Sequence, residues 1–221
     1  MKVVIFDWGG VVECAPLKDN GFATPWFEII YSMNPKVSDS EIVSKIVHEY
    51  RDGGIIDMLL KNNTDSAVND FVEGLLVLFG VEPTEDAISK FKKRYIEVHM
   101  KTACRQGIIN LIYSLKGRCK IGLLSDCNPL DKIRQDIQLN RSKFDYVWLS
   151  CDEGIRKNDS EIYIKVMNQL RDESISFNDI LLIDDNPMIC EIAQGNGLDT
   201  LLYENQSLEE LESQINDFLE S

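Results

Sequence analysis

This chain has few histidines and far fewer basic than acidic residues. Its 221 residues include 23 lysines and arginines against 37 aspartates and glutamates, which gives a formal net charge of −14, and only two histidines are present. Nucleic acids and anionic membranes attract proteins through basic surface. We therefore expect neither as a partner, and a small ligand is the better expectation.

The sequence also lacks long apolar runs and closely spaced cysteine pairs. Its six cysteines are scattered, with no C-x-x-C spacing and no histidine near them at zinc-site spacing, so we expect reduced thiols and no zinc. The N-terminal apolar run is interrupted by Asp7, too early for a signal peptide, and no stretch reaches the length of a membrane span. These absences predict a soluble, cytoplasmic protein.

The chain opens with a short apolar run that ends at an acid. Residues 3–6 (VVIF) are β-branched and aromatic, which is typical of a strand buried on both faces of a parallel sheet. Asp7 follows, and Gly9 and Gly10 then allow a tight turn and a close approach to a ligand. Ligands of open α/β sheets bind just past the carboxyl ends of central strands. Taken alone, this stretch fits either a ligand site at Asp7 or an acid that only caps a turn.

The remainder of the chain divides into two parts with different periodicities. Residues 15–104 show helical spacing and capping signals and no convincing strand, whereas helices and strands alternate after residue 105. The four further strands are predicted at residues 120–124, 145–149, 180–183 and 200–203. Such alternation predicts an α/β fold with a doubly wound, mostly parallel five-stranded sheet. We predict a core domain of residues 1–14 and 105–221, with residues 15–104 inserted as an α-helical cap domain.

Polar side chains are predicted at the carboxyl ends of several strands. These ends meet at one edge of a parallel sheet, so Asp7, Ser125, Lys157 and the pair Asp184 and Asp185 are expected to converge. The carboxylates would repel one another unless a cation lay between them, and such oxygen ligands suit Mg²⁺. Asp7 is then placed to attack phosphorus, while Ser125 and Lys157 contact the phosphoryl oxygens. Taken singly, Ser125 also fits a turn, Lys157 a solvated surface and the acid pair a helix N-cap.

These stretches, in this order, resemble the haloacid dehalogenase (HAD) superfamily, whose members are mostly phosphatases. The resemblance rests on residues 6–12 (FDWGGVV), 123–125 (LLS), 154–157 (GIRK), 183–187 (IDDNP) and 193–197 (AQGNG). The helical stretch resembles the C1-type cap inserted after the first motif, so the resemblance covers the whole chain and implies a Rossmann-like core.

The resemblance also implies roles for individual residues. Asp7, Ser125 and Lys157 are the catalytic candidates, with Asp7 as the nucleophile. Mg²⁺ is the implied cofactor, and its implied ligands are Asp7, Asp184, Asp185 and the backbone carbonyl of Gly9. The predicted substrate contacts are Ser125, Asp126 and Lys157.

One motif position departs from the family pattern. Phosphatases of this superfamily carry a second acid two residues after the nucleophile, where this chain has Gly9. General acid–base assistance is typically worth about 10² to 10⁴ in rate. Hydrolysis would then need a good leaving group with water, or a substitute acid such as Asp126 or Glu13. Asp126 itself stands where asparagine is common and adds negative charge beside the predicted phosphate.

Three functions remain open from the sequence. We favour a Mg²⁺-dependent phosphomonoesterase acting on a small phosphorylated metabolite, such as a sugar phosphate or a nucleotide. The second is a weakly active or inactive protein of the same fold that binds a phosphorylated ligand or a protein partner. The third is a 2-haloacid dehalogenase in which Asp7 attacks carbon without a metal, although those enzymes carry an aromatic residue at the position of Gly9. Specificity is expected to lie in the cap, with residues 51–54 as the candidate loop for reaching the site.

Overall fold

A computed structural model describes residues 1–14, 23–51, 53–62, 64, 66–139 and 141–221. Five parallel strands form its central sheet: β1 (Val3–Phe6), β4 (Lys120–Ser125), β5 (Tyr146–Leu149), β6 (Ile180–Asp184) and β7 (Asp199–Leu202). Their order across the sheet is β5-β4-β1-β6-β7. A separate antiparallel pair is formed by β2 (Glu13–Cys14) and β3 (Ala103–Cys104). All five predicted core strands are confirmed, with ends that differ by at most one residue.

The central strand β1 aligns the carboxyl edge of the sheet, where Asp7 and Asp184 lie. Its four side chains are fully buried because β4 and β6 flank it and helices cover both faces. Phe6 is in register with Leu123 of β4 and Ile183 of β6, and Asp7 N donates to Ile183 O at 2.9 Å. The carboxyl ends of these three strands therefore lie side by side.

Five of the described helices lie between β2 and β3. They are α1 (Thr24–Met33), α2 (Asp39–Glu49), α3 (Ile55–Leu60), α4 (Ala67–Leu78) and α5 (Glu85–His99). Their inward faces form a separate apolar core that includes Phe71 and Tyr95. Among the described residues, Leu130 is the only buried member of this core that does not come from the segment between β2 and β3. Ser38 and Thr84 cap α2 and α5 through their side chains, as the capping signals predict. The start of the predicted insertion, at residues 15–22, lies outside the described residues.

The sheet is covered on both faces, as a doubly wound fold requires. The remaining helices are α6 (Gln106–Ser114), α7 (Pro129–Leu139), α8 (Ser150–Glu153), α9 (Ser160–Asp172), α10 (Pro187–Gly195) and α11 (Leu208–Glu220). α6 and α11 pack on one face of the sheet, and α9 and α10 pack on the other. The α/β fold with a helical cap is therefore confirmed. None of the described helices is both long and apolar enough to cross a membrane.

Candidate active site

Three carboxylates meet at the carboxyl edge of the sheet. Asp7 follows β1, Asp184 ends β6 and Asp185 comes next in the chain, and each offers an oxygen within 4.8 Å of the other two. Asp7 and Asp184 are buried, whereas Asp185 is exposed. A compact set of hard oxygen donors of this kind fits Mg²⁺, which binds through carboxylates and fills its octahedron with water and phosphate.

Electrostatics support the same assignment. Burial raises the pKa of Asp7 to about 7, an effect opposed by the attraction of Lys157 and reinforced by repulsion from Asp184 and Asp185. Burial and the charge of Asp184 also raise the pKa of Asp185. The one positive charge of Lys157 thus does not balance the negative charges of the three carboxylates. A divalent cation would supply that charge, so the residues present fit the metal that the sequence predicts.

Lys157 lies between two of the three acids. Its Nζ is 2.8 Å from Asp7 Oδ1 and 2.7 Å from Asp184 Oδ2. Burial favours the neutral amine, but the two carboxylates raise the pKa of Lys157 well above its ordinary value, so it is a cation. The backbone of Lys157 is fixed on both sides, because its N–H donates to Asp126 and its carbonyl accepts from the Tyr163 hydroxyl.

Gly9 and Gly10, which follow Asp7, differ in whether their backbone leaves room for a side chain. Gly10 has φ +76°, and a β-carbon there would stand 1.9 Å from Oδ2 of Asp185. Gly9 has no heavy atom within 4 Å of the position of a β-carbon. The close approach of Asp185 therefore requires glycine at position 10, while position 9 has room for a side chain.

Ser125 and Asp126 are the last residue of β4 and the first residue after it. Ser125 is buried at the same edge as Asp7 and pairs in register with Leu149 of β5. The carboxylate of Asp126 accepts from the backbone N–H of Lys157 at 2.8 Å and from Arg156 Nε at 3.1 Å. Asp126 therefore holds the lysine loop against β4, and its contact with a substrate stays a prediction.

The two candidate substitute acids are both engaged as acceptors. Glu13 accepts from Trp8 Nε1 at 2.7 Å and pairs with Arg134 NH1 at 2.6 Å through its other oxygen. Burial raises the pKa of Glu13, but both of its oxygens have a donor. Asp126 is held in the same way by Arg156 and the Lys157 backbone. Neither acid is arranged to donate a proton in this conformation.

Arg156 connects the cap with the sheet edge, a role that the sequence did not reveal. Its NH1 donates to Asp57 of α3 at 2.8 Å and to the carbonyl of Tyr50 at 3.0 Å, and its guanidinium lies 4.1 Å from the ring centre of Tyr50. In the sequence, the feature that could have indicated this role is the position of Arg156 directly before Lys157 in the GIRK stretch. The candidate loop 51–54 adjoins this contact through a hydrogen bond from Gly53 N to Asp57, while residue 52 lies outside the described residues.

Solved structures share this fold, whereas no protein-family model and no curated protein sequence matches the chain. A HAD family enzyme from Bacteroides thetaiotaomicron, in complex with magnesium and inorganic phosphate, is 17% identical with a TM-score of 0.72, covering 96% of this chain and 98% of that one. A predicted HAD-like family hydrolase from Porphyromonas gingivalis is 20% identical with a TM-score of 0.71, covering 100% and 98%. A 2-haloacid dehalogenase from Pseudomonas syringae is 13% identical with a TM-score of 0.66, covering 99% of each chain.

These similarities confirm the fold that the motifs predict. The chain has the α/β fold of the haloacid dehalogenase superfamily together with helices inserted after its first motif. At such low identities, the fold is what the chains are shown to share. The C1 subtype of the cap, the domain boundaries and the roles of the individual site residues stay predictions.

Proposed function

We propose that this protein is a Mg²⁺-dependent phosphomonoesterase that acts on a small phosphorylated metabolite through Asp7. The observation that carries the proposal is the cluster of Asp7, Asp184 and Asp185, whose oxygens lie within 4.8 Å of one another, with the amine of Lys157 bound between Asp7 and Asp184. The magnesium and inorganic phosphate bound by the similar Bacteroides enzyme support it. The competing dehalogenase chemistry needs no metal and gives no reason to gather three acids.

The acids and the carbonyl of Gly9 would hold the ion. When bound there, Mg²⁺ would act as a Lewis acid that polarises a phosphoryl oxygen and offsets negative charge beside the carboxylates. The orientation of Asp7 is set by the chain itself. Its Oδ1 accepts from the N–H of Trp8 at 2.7 Å and from Lys157 Nζ at 2.8 Å, which fixes the plane of the nucleophilic carboxylate.

Two displacements at phosphorus complete the reaction. In the first, an oxygen of Asp7 forms a bond to phosphorus, the bond from phosphorus to the ester oxygen breaks, and its electron pair leaves with that oxygen. In the second, the oxygen of a water molecule forms a bond to phosphorus, the bond to Asp7 breaks with its electron pair returning to the carboxylate, and inorganic phosphate leaves with the oxygen and protons of that water. Lys157 offsets the charge that develops on the phosphoryl oxygens, and the Ser125 hydroxyl donates to one of them. Gly9 has no proton to give, so water protonates the leaving oxygen.

A screen of phosphomonoesters with Mg²⁺ tests the proposal. We expect turnover that is lost in Asp7→Asn and retained in Asp86→Asn, a matched change at an exposed acid of α5. Equal unfolding temperatures of the two variants would show that the loss is not one of folding. Release of chloride from 2-haloacids without metal, with no phosphate release, would instead identify a dehalogenase.

One observation favours a second function. Neither Glu13 nor Asp126 is arranged to replace the missing acid at position 9, which is the condition expected of a protein that binds a phosphorylated ligand without turning it over. Calorimetric titration of inorganic phosphate in Mg²⁺ separates the two functions. Saturable binding without hydrolysis of any ester, at high protein concentration, would favour the binding protein.

A further inference from the structure

A cavity of about 430 Å³ lies between the cap and the loop that follows β4. Its volume falls in the range of ordinary small-molecule sites. The cap contributes mainly apolar and aromatic side chains to its lining, and the core contributes polar ones. Representative lining residues are Trp26, Val47 and Phe71 from the cap, and Asp126, Asn128 and Asp131 from the core.

The cavity adjoins the proposed phosphate site at Asp126. Asp126 lines it, directly follows Ser125, and accepts from the backbone N–H of Lys157 at 2.8 Å. A phosphate held by Ser125 and Lys157 would therefore have its ester group beside this cavity. The cavity is placed to receive the part of the substrate that leaves with the ester oxygen.

Two of the polar side chains that line the cavity, those of Asn128 and Asp131, already have partners. Asn128 donates to the Tyr95 hydroxyl at 2.7 Å and to Asp131 at 2.6 Å, and its own carbonyl oxygen accepts from Leu130 N. Asp131 also accepts from Arg134 at 2.9 Å. Sugar hydroxyls would lose water here without gaining equivalent hydrogen bonds, which is costly.

Charge excludes a second class of leaving group. Asp126 and Asp131 both line the cavity, and no lysine or arginine is found among the lining residues that the structure describes. Both carboxylates are already paired, Asp126 with Arg156 and Asp131 with Arg134, so a carboxylate or a second phosphate on the leaving group would lose water here without finding a cation in this lining. The cavity therefore selects an apolar, uncharged group.

The glycine at position 9 restricts the leaving group independently. Without an acid to protonate it, the ester oxygen departs as an anion, so a weakly basic oxygen leaves more readily. A phenol, with a pKa of about 10, is a much better leaving group than an alcohol with a pKa near the roughly 15.7 of water. An aromatic ring also suits a cavity that is lined by Trp26 and Phe71.

We propose that the substrates are aryl phosphomonoesters whose aromatic group occupies this cavity and carries no further charge. The bond from phosphorus to the phenolic oxygen breaks, its electron pair leaves on the phenolate, and water then supplies the proton. This inference rests on the proposed phosphomonoesterase. It replaces the sugar phosphates and nucleotides expected from the sequence with one chemical class.

Matched esters test whether the cavity prefers an apolar ring and whether the reaction needs a weakly basic leaving oxygen. We expect kcat/KM for 1-naphthyl phosphate to exceed that for glucose 6-phosphate by at least about 10²-fold, the size of a missing general acid. Cyclohexyl phosphate keeps an apolar ring but has a poor leaving group, so it should compete with 1-naphthyl phosphate while being hydrolysed slowly. Faster hydrolysis of glucose 6-phosphate than of 1-naphthyl phosphate would overturn the inference and leave the phosphomonoesterase standing.

A pair of variants tests whether the aromatic group binds in this cavity. Val47 lines the cavity and is 44% exposed, whereas Val77 is 60% exposed and does not line it. Val47→Lys should weaken binding of 1-naphthol, followed by fluorescence without metal, by about tenfold or more, and Val77→Lys should not. If no ester is hydrolysed, the proposed function fails, and this binding measurement still decides what the cavity holds. Equal effects of the two variants, or no saturable binding, would refute the aromatic site.

Discussion

The carboxylate of Asp185 lies directly against the backbone of Gly10, so that a β-carbon at position 10 would stand 1.9 Å from Oδ2. This contact joins the loop after β1 to the loop after β6. It also places Asp185 within reach of Asp7 and Asp184. Asp185 can hold this position only because residue 10 has no side chain.

Gly10→Ala is expected to damage both folding and metal binding. The positive φ alone should cost about 1 to 2 kcal/mol of stability, and relief of the clash would turn Asp185 away from the other acids. Thermal unfolding with and without Mg²⁺ measures both effects, because a bound ion raises the stability of the folded state. Gly9→Ala is the matched control, since its β-carbon meets no atom within 4 Å. Identical behaviour of the two variants would contradict the assigned role of Gly10.

Gly9→Asp is expected to increase hydrolysis of esters with poor leaving groups. The position has room for the side chain, and a general acid is typically worth about 10² to 10⁴ in rate. The gain should be large for cyclohexyl phosphate and small for 1-naphthyl phosphate, whose phenolate needs little protonation. Steady-state kinetics on both esters provide the measurement. Gly9→Asn has nearly the same shape without the proton, so an equal gain in that variant would rule out acid catalysis.

The buried ion pair between Arg156 and Asp57 is expected to hold the cap against the core. Their side chains are only 6% and 1% exposed, so removal of either partner should cost about 3 to 5 kcal/mol of unfolding free energy. A double-mutant cycle with alanine at both positions should give a coupling energy of about 2 kcal/mol. The exposed pair of Lys132 and Asp152 is the control and should couple by less than about 1 kcal/mol. Similar coupling in the two pairs would argue against this role.

His99 is expected to make stability depend on pH. Neither ring nitrogen has a hydrogen-bond partner among the described residues, and burial lowers the pKa of His99 from 6.5 to about 4. Between these values the unfolded chain binds a proton that the folded chain does not, so stability is full above pH 6.5 and falls as the pH drops toward 4. The loss attributable to His99 should be about 2 kcal/mol between pH 7 and pH 5.

Chemical unfolding at several pH values checks this effect. His99→Gln should flatten the pH profile, whereas His48→Gln, at an exposed site on α2, should leave it like that of the unsubstituted protein. The slope with pH is the readout, because substitution at a buried position can lower the overall stability as well. Parallel profiles for all three proteins would contradict a buried neutral His99.

Local patterns were sufficient to predict most elements of the fold. The β-branched run before Asp7 and the capping residues Ser38 and Thr84 act through their immediate neighbours, so their consequences can be predicted from a short window. The helices α1 and α3 and the β2–β3 pair were not individually predicted. Two-residue strands show no periodicity, and a six-residue helix such as α3 is too short to establish one.

Sequence order by itself determined the fold class and the set of acids and hydroxyl at the strand ends, together with the loop after β5 that carries Lys157, because parallel strands present their carboxyl ends at one edge. Only the tertiary structure decided which groups these side chains meet. It placed Lys157 between Asp7 and Asp184, engaged Glu13 and Asp126 as acceptors, and formed a cavity between the cap and Asp126. Such contacts join residues far apart in the chain, and their distances depend on how the helices between β2 and β3 pack over the sheet, which no local pattern encodes.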